Sequence, residues 1–141
     1  MKPLKHASMI SVLILCLVGT FWPMAWAGEG APEKINCAAE ITWEVAAEAK
    51  LTQFDCAVGE HGDQPALIFT AGLMNPTDKP LRYRVNIFLE DMDKAAGHLV
   101  PRKGNPPVIA PGEAATVKIP FIGTDKGSKK ILVIVKTISV D

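Results

Sequence analysis

From residue 64 onward, hydrophobic and polar residues alternate with the period of two that a half-buried β-strand imposes. Ala66–Met74 is apolar and rich in β-branched and aromatic residues, and it runs into a turn, Asn75-Pro76-Thr77-Asp78-Lys79-Pro80. The next segment sorts cleanly, with Tyr83, Val85, Ile87 and Leu89 on one side and Arg82, Arg84, Asn86, Phe88 and Glu90 on the other. A loop is expected over Asp91–Gly97, a short strand at His98–Val100, and an irregular connection over Arg102–Pro107. The turn Ala110-Pro111-Gly112-Glu113 feeds a strand in which Ala115, Val117, Ile119 and Phe121 alternate with Thr116, Lys118 and Pro120, and Pro120 marks that strand as an edge or an ending. After a polar loop at Gly123–Lys130, Ile131–Val140 opens with five apolar residues, which predicts a strand covered on both faces. About six short strands at this spacing describe a β-sandwich, not a parallel α/β sheet.

Residues 37–51 carry two signals at once. Ile41, Trp43, Val45, Ala47, Ala49 and Leu51 alternate as in a strand, yet Ala and Glu dominate and Glu40, Glu44 and Glu48 also stand four apart. No Gly, Asn or Pro between 38 and 52 offers a tight hairpin, although a Cys37–Cys56 bond requires the chain to double back. The expectation is therefore a helix from about Ala38 to Lys50, capped by Asn36 and returning through a strand from Leu51.

Composition changes the picture at the N-terminus. Lys2 and Lys5, an apolar run from Met9 to Val18, and Ala25-Trp26-Ala27 have the order of an export signal cleaved before Gly28. Gly19 and Pro23 interrupt a run already shorter than the ~20 residues of a spanning helix, and the large Leu15 before Cys16 argues against a lipid anchor there. The expected organisation is a signal over 1–27, a flexible lead-in over 28–36 and one sandwich domain over 37–141, in the periplasm or secreted. Removing 27 of 141 residues leaves 114 with a net charge of −2, too little field to favour nucleic acid or anionic lipid. The charge is uneven, with a balance of −6 over 28–63 and +4 over 64–141. The two parts either neutralise each other or present separate faces to partners.

Cysteine usage agrees with export. The mature chain keeps only Cys37 and Cys56, an even count without C-x-x-C, so a disulfide is expected in an oxidising compartment.

Several of these residues also resemble a known pattern. A strand entering Gly72, the Asn75-Pro76 and Lys79-Pro80-Leu81 turn, Val85-x-Ile87-x-Leu89-x-Asp91, Gly97, and Ala110-Pro111-Gly112-Glu113 before an edge-like strand are together similar to the FxLYD-type immunoglobulin-like envelope domains. The chain departs from that pattern at Glu90, in the additional Ala95 and Ala96, and in its cysteine-bearing N-terminal piece. The resemblance, over about residues 67–140, implies an immunoglobulin-like antiparallel β-sandwich in the envelope, in a family of mostly non-catalytic modules, and brings no active-site residues with it.

Candidate chemistry is sparse. The mature chain has two serines, Ser128 and Ser139, and two histidines, His61 and His98, and the Gly-Ser-Lys stretch at Gly127 lacks the order of a phosphate loop. Glu90-Asp91-x-Asp93 lacks the further ligands and turn glycine of a hard-metal loop. A soft-metal site, copper above all, would have to gather His61, Met74, Met92 and His98 from separate loops and strand ends. Partner binding has better material. Phe88 falls on the outward register beside Arg82 and Arg84, a combination suited to a protein interface, unless Trp43 of the expected helix covers it. The sequence thus points to an exported, disulfide-stapled, non-enzymatic interaction module that needs no cofactor and meets an envelope or secreted protein. A periplasmic metal-binding protein is the second possibility.

Overall fold

The computed structural model describes residues 29–140, and the expected signal over 1–27, with Cys16, lies outside them. Eight strands follow one another: β1 (Lys34–Asn36), β2 (Glu40–Val45), β3 (Lys50–His61), β4 (Gln64–Met74), β5 (Arg82–Leu89), β6 (Lys94–Val100), β7 (Ala114–Ile122) and β8 (Lys130–Ile138). They form two four-stranded sheets, β1-β3-β4-β7 and β2-β8-β5-β6, whose facing sides share one core in a sandwich-like arrangement. Both sheets are mixed rather than antiparallel, because β1 runs parallel to β3 and β2 parallel to β8.

The alternation read from the sequence is what builds the core. Leu67, Phe69, Ala71 and Leu73 of β4 and Tyr83, Val85, Ile87 and Leu89 of β5 all point inward and are fully buried, opposite Ile119 of β7 and Ile131 and Val133 of β8. Phe54, Phe69 and Phe121 make a chain of ring contacts, each 5.5 Å between centroids. Such offset and edge-on contacts add to the area term.

The N-terminal helix is replaced by strand. Residues 34–36 of the expected flexible lead-in already pair with β3. Glu40–Val45 then pairs in parallel with Lys130–Val135, so Ile41, Trp43 and Val45 pack against the core and Glu40, Thr42 and Glu44 face out. Trp43 meets Phe54 edge-on at 5.1 Å. The reversal that seemed to need a glycine or asparagine is a four-residue turn, closed by the Ala49 N–H donating to the Ala46 carbonyl at 3.0 Å, that carries the chain from one sheet to the other. A type I turn of that kind accepts most residues, so alanine and glutamate suffice. The Tyr83 hydroxyl secures it by donating to the Glu48 carbonyl at 2.7 Å. Burial, and the Glu48 charge after it, push the Tyr83 phenol above its usual value.

Cys37, at the corner between β1 and β2, is bonded to Cys56 of β3 with Cα atoms 5.0 Å apart, as the cysteine count required. The bond ties the N-terminal arch, which closes one open side of the sandwich, to the longest strand. β3 itself holds a bulge at Thr52, and Gly72 lies opposite it, where a Cβ would press on the Thr52 and Gln53 side chains. The β4–β5 crossing is pinned by buried Asn75, whose Nδ2 donates to the carbonyls of Lys79 and Ile109 at 2.6 and 2.9 Å while its Oδ1 accepts from the Thr77 N–H and hydroxyl at 2.9 and 2.7 Å.

Two further details differ from expectation. β6 begins at Lys94, within the stretch expected to be loop. Strand β8 is covered on one face only, since Leu132 and Ile134 remain half-buried between fully buried Ile131, Val133 and Val135. Among the described residues, no helix is long and apolar enough to cross a membrane.

Candidate interaction surface

The outer face of the β2-β8-β5-β6 sheet is built by register. Each inward core residue leaves its neighbours pointing out, and pairing sets them in rows: Thr42, Leu132, Phe88 and Ala95 in one, and Glu44, Ile134, Asn86 and Gly97 in the next. Lys136, Arg84 and Leu99 make a third row, beyond which Ile138 faces Arg82. The face therefore has an apolar centre at Leu132, Ile134 and Phe88, with a basic end at Arg82, Arg84 and Lys136. Phe88 is half-buried, supported from the sides by its neighbours but open above.

Of the residues expected at an interface, Arg82, Arg84 and Phe88 share this face. Trp43 does not join them, because β2 turns it to the opposite, core-facing side, and among the described residues no helix covers Phe88. Leu132, Ile134, Lys136 and Arg102 belong to the face but were not singled out from the sequence.

Two clefts open on this face. One, of about 520 Å³, runs beside Phe88 and Leu132 to Asp93, Lys94 and Ala95 at the β5–β6 turn. The other, of about 310 Å³, is lined by Arg82, Arg84, Gly97, His98, Leu99 and Arg102. Arg82 donates through Nε and Nη2 to the Pro101 carbonyl, both at 3.3 Å, and Arg84 donates through Nε to Asn86 Oδ1 at 3.2 Å. Partial burial, and then the Arg102 charge, hold the His98 imidazole below its ordinary pKa.

The soft-metal set is not assembled. His61 and His98 both line a third cleft of about 370 Å³, over the seam between β6 and β7, together with Glu60, Arg102 and Lys118. Met74 lies at the other end of β4 from Gln64, the partner of His61, a distance of roughly 33 Å at ~3.3 Å per residue. Met92 packs against the core from the β5–β6 turn. Among the described residues, no three His, Cys, Asp or Glu side chains converge as a metal site would need.

The remaining candidates have local structural partners. Asp91 accepts hydrogen bonds from the Ser128 hydroxyl and, at 3.0 Å, from the Lys129 N–H, which docks the Gly-Ser-Lys loop onto the β5–β6 turn. Ser128 is thereby buried within the otherwise polar Gly123–Lys130 loop. These bonds, that of Ser128 foremost, hold the Asp91 carboxyl below its usual pKa. Asp93 takes a positive φ of 52° in the same turn, a conformation that aspartate tolerates better than most residues.

Compared with family models, curated proteins and solved structures, the chain matches none.

Proposed function

We propose that this chain is an exported, non-enzymatic interaction module of the cell envelope, an immunoglobulin-like domain of the FxLYD type. Its binding face is the outer side of the β2-β8-β5-β6 sheet. The observation that carries the reading is the apolar centre of that face, where Leu132, Ile134 and Phe88 lie side by side, without a covering element among the described residues, and adjoin an arginine-rich end. Scattered apolar residues are ordinary on a surface; a contiguous group containing an aromatic and bordered by arginines has the composition of an interface. The partner that fits is a polypeptide presenting an apolar side chain to Phe88 and carboxylates to Arg82 and Arg84. The disulfide and the sandwich support an envelope or secreted setting, since both suit a small domain in an oxidising compartment.

The test pairs Phe88→Asp with Thr70→Asp, the latter on the outer face of the other sheet. Affinity capture from envelope extracts with the parent protein should recover a partner that binds the purified domain directly, loses binding with Phe88→Asp and keeps it with Thr70→Asp. Equal binding by all three proteins would refute the assignment of this face.

A further inference from the structure

We infer that the Arg82–Arg84–Arg102 cleft is a binding site for an oxyanion, a carboxylate or sulfate-like group with two or more acceptor oxygens. The inference goes beyond the proposed protein interface, because a free anion can occupy the cleft whether or not a polypeptide lies over Phe88.

Three observations support it. The first is that Arg82, Arg84 and Arg102 line one cleft of about 310 Å³ that, among the described residues, no carboxylate lines. Among the described residues, the ion pair found is Lys130 with Glu90 at 3.7 Å, and no carboxylate of those residues pairs with these arginines. The second is register: Arg84 lies directly opposite Lys136 on the outer face, and like charges placed so destabilise a sheet. A local rule broken without compensation marks a site where a ligand supplies the missing charge. The third is preorganisation. Arg82 is held by the Pro101 carbonyl and Arg84 by Asn86 Oδ1, which leaves further N–H groups of both forks to a ligand. Asn86 can lie where it does because residue 97 is glycine, since a Cβ there would collide with the Asn86 side chain and approach the Val85 carbonyl to 2.9 Å. Guanidinium forks match carboxylate and sulfate geometry in pairs of parallel hydrogen bonds, which a lysine patch does not provide.

His98 lines the same cleft and serves as an internal reporter. The groups around it are Arg82 and Arg84 on β5, Arg102 after β6, Lys118 on β7, and Glu60 and His61 on β3. An anion seated among the arginines opposes their charge and favours the imidazolium, so binding raises the His98 pKa and, by linkage, affinity increases as pH falls.

The experiment is an NMR titration of the oxidised protein at constant ionic strength, with sodium sulfate as one probe and a hexaglutamate peptide as the other, against chloride. The expected result is saturable shifts centred on Arg82–Arg84 and Gly97–Leu99, an upward shift of the His98 titration, and weakening of about tenfold or more in Arg84→Gln/Arg102→Gln. Arg84→Lys/Arg102→Lys keeps the charge and should also weaken binding through loss of the fork, while Lys126→Gln, remote in the β7–β8 loop, should not. Saturation by sulfate identifies a free-anion site. Saturation by the peptide with little response to sulfate identifies side-chain carboxylates of a partner, and either supports the inference. Non-saturating shifts, an unmoved His98, or equal weakening by Lys126→Gln would overturn it. Amide spectra of each variant establish that it is folded, and if the double variants are not, Gly97→Ala, which displaces Asn86 and frees Arg84, is read in their place.

Discussion

Replacing Phe88 with alanine separates the binding face from the core. Its ring projects from β5 between Leu132 and Ala95 in the cross-strand row and is half-buried, whereas Phe69, on β4 of the other sheet, is fully buried between Phe54 and Phe121. Cross-strand contacts of the first kind contribute about 0.2–1 kcal/mol, and truncating a fully buried phenylalanine costs about 3–5 kcal/mol. At roughly 4 °C per kcal/mol for a domain of this size, Phe88→Ala should melt within about 4 °C of the parent and Phe69→Ala roughly 12–20 °C below it. Thermal unfolding of the oxidised proteins by circular dichroism measures both. Partner binding, read in parallel, should fall with Phe88→Ala and hold with truncations of similar stability on the outer face of the other sheet. A Phe88→Ala melting point as low as that of Phe69→Ala would show that the outer face is packed, and the interface argument would collapse with it.

Further perturbations probe the scaffold. Replacing Cys37 and Cys56 together by serine removes a bridge over a separation of 19 residues and should cost about 3 kcal/mol, measured by urea unfolding against the oxidised parent. Asn75→Ala removes the Nδ2 donor shared by the Ile109 and Lys79 carbonyls and leaves the Thr77 N–H without its Oδ1 acceptor, and should cost about 2–4 kcal/mol in the same assay, more than Thr116→Ala at an exposed position. Ser128→Ala removes the foremost cause of the lowered Asp91 pKa, so the carboxyl should titrate higher by NMR. Because a depressed carboxylate stabilises the fold above its unfolded pKa and ceases to do so as pH falls through the folded value, the variant should lose part of the parent's acid-side slope. For His98 the slope has the same sign from a different cause: burial favours the neutral ring in the folded protein, so stability rises with pH between the depressed pKa and the ordinary 6.5, and His98→Gln should flatten that interval in ligand-free protein.

Strands β5 and β7 were legible because each buries one side chain in two, which leaves a period that no helix shares, and β4 and β8 because apolar, β-branched runs stand between turn signals. β2 was not, although its inward residues Ile41, Trp43 and Val45 stood in the right alternation. Its outward positions Glu40 and Glu44 are helix formers spaced four apart, and β2 becomes a strand only because the far end of the chain supplies β8 as its parallel partner. No local pattern records a pairing across ninety residues of sequence. The binding face was half legible for a related reason. Alternation alone placed Arg82, Arg84 and Phe88 together on one side, but the unbroken apolar run at Ile131–Val135 resembles a strand covered on both faces. Only the topology shows that Leu132 and Ile134 stand uncovered beside Phe88, and that Lys136 and Arg102 extend the arginine end.

The same topology decides what the charge asymmetry is for. Acidic and basic parts of a chain neutralise each other when the fold brings them into contact, yet the ion pair observed, Lys130 with Glu90, lies wholly within the basic part. Glu40 and Glu44 point outward from β2 at one edge of the sheet, and Arg84 points outward from β5 two strands away, with the cleft at β6 one strand further. At ~4.8 Å per strand these separations are roughly 10 and 14 Å, at or beyond the ~8 Å Debye length of physiological salt. Attraction across the face is therefore largely screened, and the charges remain available to whatever covers it. The outer surface grades from acidic through apolar to basic within a single sheet. On the proposed reading, a partner matched to that gradient would lie across the strands in one orientation, with its cations over β2, its apolar anchor at Phe88 and its carboxylates over β5 and β6. Orientation would then be specified by charge and adhesion by the apolar centre, which is the division of labour expected where electrostatics contributes more to specificity and encounter rate than to affinity.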